Sequence, residues 1–396
     1  MKKKKLFLLA SLAAALAMTS CSSFDEPAAL DGDGMPLTRS GERSVAVPVE
    51  SEDELIGALE DEEPAIYIAS SFNLTQSVTI NSATTITSAS NAVITSSAPI
   101  ICKANVTFKD LVIDATTPRG SGAINIAAEG IDVTLNNTQV KQNTAGTSDN
   151  MSNEGIGILY QAYTNVNLRL ENNSVLTLPN NYVRGICLSP TSATFIKKLE
   201  IVDSKIIMGT DLSNPATYGR GISLSYIKTT PNLPILIKNS VIEGGYYAIN
   251  TYGSTSVLNF NVENSTLNGR CGFNVWTPNT TATIKGGTII GQNPYMGGWE
   301  NFANVKINDG ANNCTFNFDG TTFEMYRKEG NPYNQQQMVM TGGTNTTLNF
   351  EGSVKVYDYS KLTTTFITGS GSVTQINCTG WQNIDLVVAN SQASIF

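Results

Sequence analysis

The 396-residue chain carries 33 Asp and Glu against 25 Lys and Arg, a formal net charge of −8. It has no basic stripe, which argues against nucleic acid as a partner. Histidine is absent altogether, which excludes Ser-His-Asp and Cys-His catalysis and argues against a zinc site.

The chain opens with basic Lys2–Lys5 and an apolar run, Leu6–Ala17, too short to span a bilayer. "AMTSC" follows and resembles a bacterial lipobox, with Met18 where Leu is more usual. The resemblance implies a signal peptide over residues 1–20, cleaved before Cys21, whose thiol then carries diacylglycerol. The plainer alternative is ordinary secretory cleavage beside an incidental Cys. Acidic residues in "CSSFDE" are similar to the export signal of surface-displayed outer-membrane lipoproteins. That similarity implies an outer-membrane, lipid-anchored protein facing the exterior. Residues 21–50, rich in Pro, Gly, Ser and charge without an apolar period, read as a flexible tether.

From residue 51 the pattern changes. In "SEDELIGALED", Ser51 and Glu54 stand as a capping box before Leu55, Ile56 and Leu59, which predicts a short helix covering one end of the fold. Beyond it a phrase recurs: apolar alternation, a turn residue, Ser or Thr, then a second alternation. "VTFKDLVI", "VTLNNTQV", "ILIKNSVI" and "FNFDGTTF" are four of its copies. Period-two alternation rich in Val, Ile, Thr and Phe predicts strands. At the bend stand Asp110, Asn137, Asn173, Asp203, Asn239, Asn264, Gly287, Gly320 and Gly352, at intervals of 23 to 36 residues. Asn, Asp and Gly tolerate the left-handed conformation, so each repeat bends at the same place.

A third strand per repeat comes from "GAINI", "EGIGIL", "RGICLS", "RGISLS", "YAINTY" and "CGFNVW". Three short strands and three turns per coil predict an all-β fold over residues 51–396, a right-handed, single-stranded parallel β-helix (a solenoid) with a capping helix. Coils stack about 4.8 Å apart, with Ile186 and Ile222 filling successive layers. The chain resembles the pectin-lyase-like β-helix superfamily over this whole range. Asn137, Asn173, Asn239 and Asn264 look like that superfamily's asparagine ladder, which implies side chains bonding the backbone of the next coil, with Asp203 interrupting. No helical pattern follows near Val373–Phe396, so loops are expected to blunt that end. Besides Cys21, the cysteines at 102, 187, 271, 314 and 378 are an odd set without a C-x-x-C. They read as buried free thiols, or as one disulfide between neighbouring coils with the remainder free.

The superfamily includes hydrolases, lyases, adhesins and inert scaffolds, so function must come from a site. The polygalacturonase-like pattern of paired Asp, Gly-His-Gly and Arg-x-Lys is missing. Calcium-dependent pectate lyases cluster carboxylates, and here Glu154, Asp203 and Asp211 are dispersed. No metal site and no cofactor is expected; Ca²⁺ enters only with a lyase reading.

Two columns remain. Aligned third strands place Glu154, Arg184, Arg220, Tyr247 and Cys271 at one position on successive coils. The arginines are either a surface ion-pair feature or a clamp for a charged sugar. Five or six residues on lie Tyr160, Tyr226, Tyr252 and Trp276, either a stiffening ladder or a stacking platform for sugar rings. Long loops add Tyr295, Trp299, Tyr326 and Tyr333. The predicted contact face is Arg184, Arg220, Tyr226, Tyr252, Trp276 and Trp299. The expected function is a non-catalytic surface lipoprotein that binds glycan or host matter as an adhesin-like scaffold, held to the membrane only by its lipid. The alternative is a polysaccharide lyase acting on uronate glycans with an Arg or Lys base.

Overall fold

The computed structural model describes residues 45–388, apart from residues 91, 162–164, 191–193, 210–216, 255, 294–302, 328–336, 360–364 and 370–375. The predicted signal peptide, Cys21 and most of the predicted tether lie outside the described residues. Successive strands pass in turn to three parallel sheets of 13, 12 and 11 strands. Each strand pairs with its counterparts one coil earlier and one coil later. In the first sheet Val106–Lys109 adjoins Asp132–Asn136, which adjoins Asn167–Glu171. The chain is a right-handed parallel β-helix, the hand that parallel crossovers take. Among the described residues no helix is long and apolar enough to cross a membrane.

The first coil begins earlier than expected. Val47–Val49 pairs with Ile66–Ile68, and Val49 is fully buried, so these residues belong to the fold rather than to a tether ending at residue 50. The helix Glu52–Glu60 follows, with the Ser51 side chain accepting from the Glu54 N–H at 3.3 Å. Leu55 and Leu59 enter the core. The Glu52 carboxylate accepts from the backbone N–H groups of Gln76 and Thr75 and from the Thr75 hydroxyl. Those bonds lower its pKa, the Gln76 contribution being the largest, and they tie the helix to the coil it covers.

Every predicted bend residue is left-handed. Asp110, Asn137, Asn173, Asp203, Asn239 and Asn264 have φ between 47° and 65°, and Gly287, Gly320 and Gly352 between 60° and 71°. The ladder differs from the expectation. Asn137 donates to the Asp110 carboxylate at 2.6 Å, and Asn239 to that of Asp203 at 3.0 Å. Asp203 therefore takes part as an acceptor. The bonds to backbone come from the next residue, which turns inward and is buried. Thr138 N–H donates to Ser174 Oγ, Ser204 N–H to Ser240 Oγ and Ser240 N–H to Ser265 Oγ, all within 3.1 Å. A short hydroxyl fits inside the bend, whereas the Asn side chain is directed outward by its left-handed backbone.

One continuous apolar core runs from Val49 to Ile367. Phe260, Phe273, Phe316, Phe318 and Phe350 extend a ring stack through the later coils, with neighbouring centroids 4.8–6.0 Å apart. All five described cysteines are free thiols. Burial pushes Cys102 and Cys271 up to about 12, and Cys314 and Cys378 to about 11.

Candidate functional site

The site is built on the outer face of the third sheet. Strict alternation would place Arg184 and Ile186 on the same face. Instead the pairing runs Arg184 to Arg220, passes over Gly185 and Gly221, and resumes at Ile186 with Ile222. A Cβ on Gly185 would lie 2.6 Å from the Gly221 carbonyl and 2.5 Å from the Ile206 side chain. Glycine admits this irregularity, which turns Ile186 and Ile222 into the core and sends both arginines outward. The repeated "RGI" is thus a face-switching device as well as a core layer.

The outward column is Ile156, Arg184, Arg220, Tyr247 and Cys271. Ile156 occupies the place expected of Glu154, because the segment before that strand leaves the coil path. Ile156, Leu159 and Cys187 form a small apolar cluster outside the main core, covered by Met151. The cover is the segment 143–154, which ends in a short 3₁₀ turn, Met151–Asn153. That segment brings Asp149 and Glu154 against the two arginines. The Arg184 Nε meets the Glu154 carboxylate, and its Nη1 donates to Ser223 Oγ at 3.1 Å. The pair is buried rather than superficial, with Glu154 1% and Arg184 7% exposed. Burial raises the Glu154 pKa, an effect partly offset by Arg184 and Arg220. Arg220 Nη2 lies 2.7 and 2.8 Å from the two oxygens of Asp149.

These residues floor a cleft of about 620 Å³, lined also by Asn250, Tyr247, Tyr252 and Trp276. Tyr252 is 53% and Trp276 42% exposed. Four of the six predicted site residues therefore converge: Arg184, Arg220, Tyr252 and Trp276. Tyr226, with φ 59°, is not among the residues lining the cleft but makes an edge-to-face contact with the Tyr252 ring at 6.3 Å. Trp299 lies outside the described residues, as do Tyr295 and Tyr333. Tyr160 does not join the aromatic face. It is 1% exposed, because it shares the inward orientation of Ile158.

A tyrosine wall escaped the sequence reading. Tyr182 stacks on Tyr218 at 4.8 Å and Tyr218 on Tyr246 at 5.5 Å. The buried Arg270 guanidinium backs the last two at 4.9 and 4.7 Å and donates to the Thr217 carbonyl. The signal was present, since Tyr stands two residues before Arg in both "YVRGI" and "YGRGI". Among the described residues no three Cys, Asp or Glu side chains gather as a metal site would need.

Fold and cleft together define a right-handed parallel β-helix with a polar, aromatic-flanked groove on one sheet. No family model and no curated protein matches the chain. Among solved structures, the alginate lyase AlyF-OU02 in complex with G6 is similar at a TM-score of 0.37 and 10% identity, over 86% of this chain and 88% of that one. A PL6 alginate lyase in complex with a trisaccharide is similar at a TM-score of 0.34 and 11% identity, over 86% of both chains.

Proposed function

We propose that this is a lipid-anchored, outer-membrane β-helix that faces the exterior and binds glycan through the third-sheet cleft without catalysis. The supporting observation is the cleft itself: exposed Tyr252 and Trp276 stand over a floor of Arg220, Ser223 and Asn250. Flat aromatic faces suit sugar rings, and the polar floor suits their hydroxyls. Coil spacing of about 4.8 Å is close to the length of one sugar residue, so adjacent coils can engage adjacent units of an extended chain. The anchor rests on the lipobox-like "AMTSC" and the acidic residues after Cys21.

A lyase reading asks Arg184 or Arg220 to act as a base. Arginine keeps its proton in proteins, and both guanidinia here are engaged by carboxylates. That favours the binding reading. Affinity electrophoresis through a panel of polysaccharides tests it: Trp276→Ala is expected to lose retention on a responsive polymer while its melting temperature stays unchanged. Equal retention of wild type and variant on every polymer would overturn the reading. Accumulation of unsaturated products from a uronate polysaccharide, read by absorbance with Ca²⁺ present, would replace it with the lyase.

A further inference from the structure

Arg220, Ser223 and Asn250 give the cleft hydrogen-bond donors, beside acceptors at Asp149, Asn150, Ser225 and the tyrosine hydroxyls. Asn308 Nδ2 donates to the Val275 carbonyl at 3.0 Å, which fixes its orientation, and to Asn274 Oδ1 at 2.8 Å. Asn274 in turn donates to Asn250 Oδ1 at 2.7 Å. The ladder therefore engages the Asn250 Oδ1 and leaves its NH₂ group to donate at the cleft. Ser223 Oγ accepts from Arg184 and keeps its proton to donate. Arg220 Nε is buried and has no acceptor among the described residues. Arg220, Ser223 and Asn250 thus place donors together in the lining of the cleft, where one anionic group can accept from more than one of them.

Charge counting points the same way. Two arginines face two carboxylates, Glu154 and Asp149. Glu154 is buried and committed to Arg184, whereas the Asp149 side chain is 55% exposed. Removing Asp149 from the floor leaves one net positive charge, enough to hold one anionic group.

We propose that the floor at Arg220, Ser223 and Asn250 is a seat for one anionic substituent of a saccharide, a carboxylate or a sulfate, and that Asp149, which holds the Arg220 Nη2 in the free protein, competes with the ligand for this seat and is displaced by it. The proposal rests on the glycan-binding reading and adds the charge of the ligand and an internal competitor. Asp149 sets a threshold: neutral glycans gain nothing by displacing it, and an anionic one recovers the ion pair it breaks.

The experiment compares wild type, Asp149→Asn, Asp149→Ala and Arg220→Met in affinity electrophoresis through polygalacturonate, dextran sulfate and dextran. Melting temperatures in sodium sulfate at constant ionic strength supply a second readout. A seat occupied by its own competitor about nine-tenths of the time gains about tenfold in apparent affinity when the competitor is removed. Both Asp149 variants are thus expected to bind at least one anionic polymer about tenfold more tightly, with dextran unchanged. Gain on polygalacturonate alone identifies a carboxylate, and gain on dextran sulfate alone identifies a sulfate. Arg220→Met should bind the anionic polymers no better than dextran. Unchanged or weaker anionic binding by both Asp149 variants, with Trp276→Ala still impaired, would overturn the seat and leave glycan binding standing. Retention of no polymer by any protein, with sulfate still stabilising Asp149→Asn above wild type, would overturn glycan binding and leave the seat. No retention and no differential stabilisation would overturn both.

Discussion

Arg184 and Glu154 form a buried ion pair although 30 residues separate them and they do not share a coil position. Arg184 is carried outward by the glycine that follows it. Glu154 arrives on the last residue of the segment that folds over the same face. Arg184 lines the cleft beside Arg220, and the pair fastens that covering segment to the β-helix.

The two partners should respond unequally to mutation. Burial raises the Glu154 pKa above its ordinary value of 4.5, so the folded protein takes up this proton before the unfolded chain does. Its contribution to stability therefore grows as pH falls through the raised value towards 4.5, and is smallest above it. Glu154→Gln mimics the protonated form. It should draw level with wild type as pH falls towards 4.5 and be at least as stable at pH 8. Arg184→Met strands a buried carboxylate and should cost about 3 kcal/mol at pH 8. Urea denaturation at both pH values reads this, and a large loss in Glu154→Gln at pH 8 would contradict it.

Two glycines should give opposite results. Gly57 sits in the helix Glu52–Glu60, where an added methyl group would have nothing within 4 Å, whereas one on Gly185 would meet the Gly221 carbonyl at 2.6 Å. Gly57→Ala should stabilise by about 0.5–1 kcal/mol. Gly185→Ala should destabilise by about 3 kcal/mol by forcing two coils apart. Thermal melts of the two variants separate these outcomes, and a tolerated Gly185→Ala would contradict the face switch at that residue.

Ile222 and Arg220 test the same switch from its two sides. Ile222 is fully buried, and truncation to Ala should cost roughly 2–5 kcal/mol. Arg220→Ala removes a mostly covered side chain whose partner Asp149 stays in solvent, and should cost less, about 1 kcal/mol. Equal losses in denaturant midpoint would place the arginine in the core.

Cys21→Ala should abolish palmitate labelling and move the protein from the membrane fraction to the soluble one. Persisting label on the variant would rule out the proposed anchor. Protease shaving of intact cells separately reads exposure to the exterior.

The β-helix was legible because its determinants are local and periodic. Alternating Val, Ile and Phe set the strands, and Asp, Asn or Gly at each bend accepts a left-handed φ wherever the chain places it. Stacking then turns a sequence interval into a spatial column, which is why aligning repeats brought Arg184, Arg220, Tyr252 and Trp276 to one cleft. The columns failed where the chain leaves the coil. Asp149 and Glu154 lie on the segment 143–154, which has no period, so no alignment reveals which face it covers. Tyr160 was misplaced and the Ser/Thr ladder missed for a related reason. Whether a side chain points inward depends on the backbone irregularity beside it, and that irregularity is decided by the carbonyl of the next coil. Contacts between coils and loops far apart in sequence are set by packing in three dimensions, which leaves no repeating mark along one.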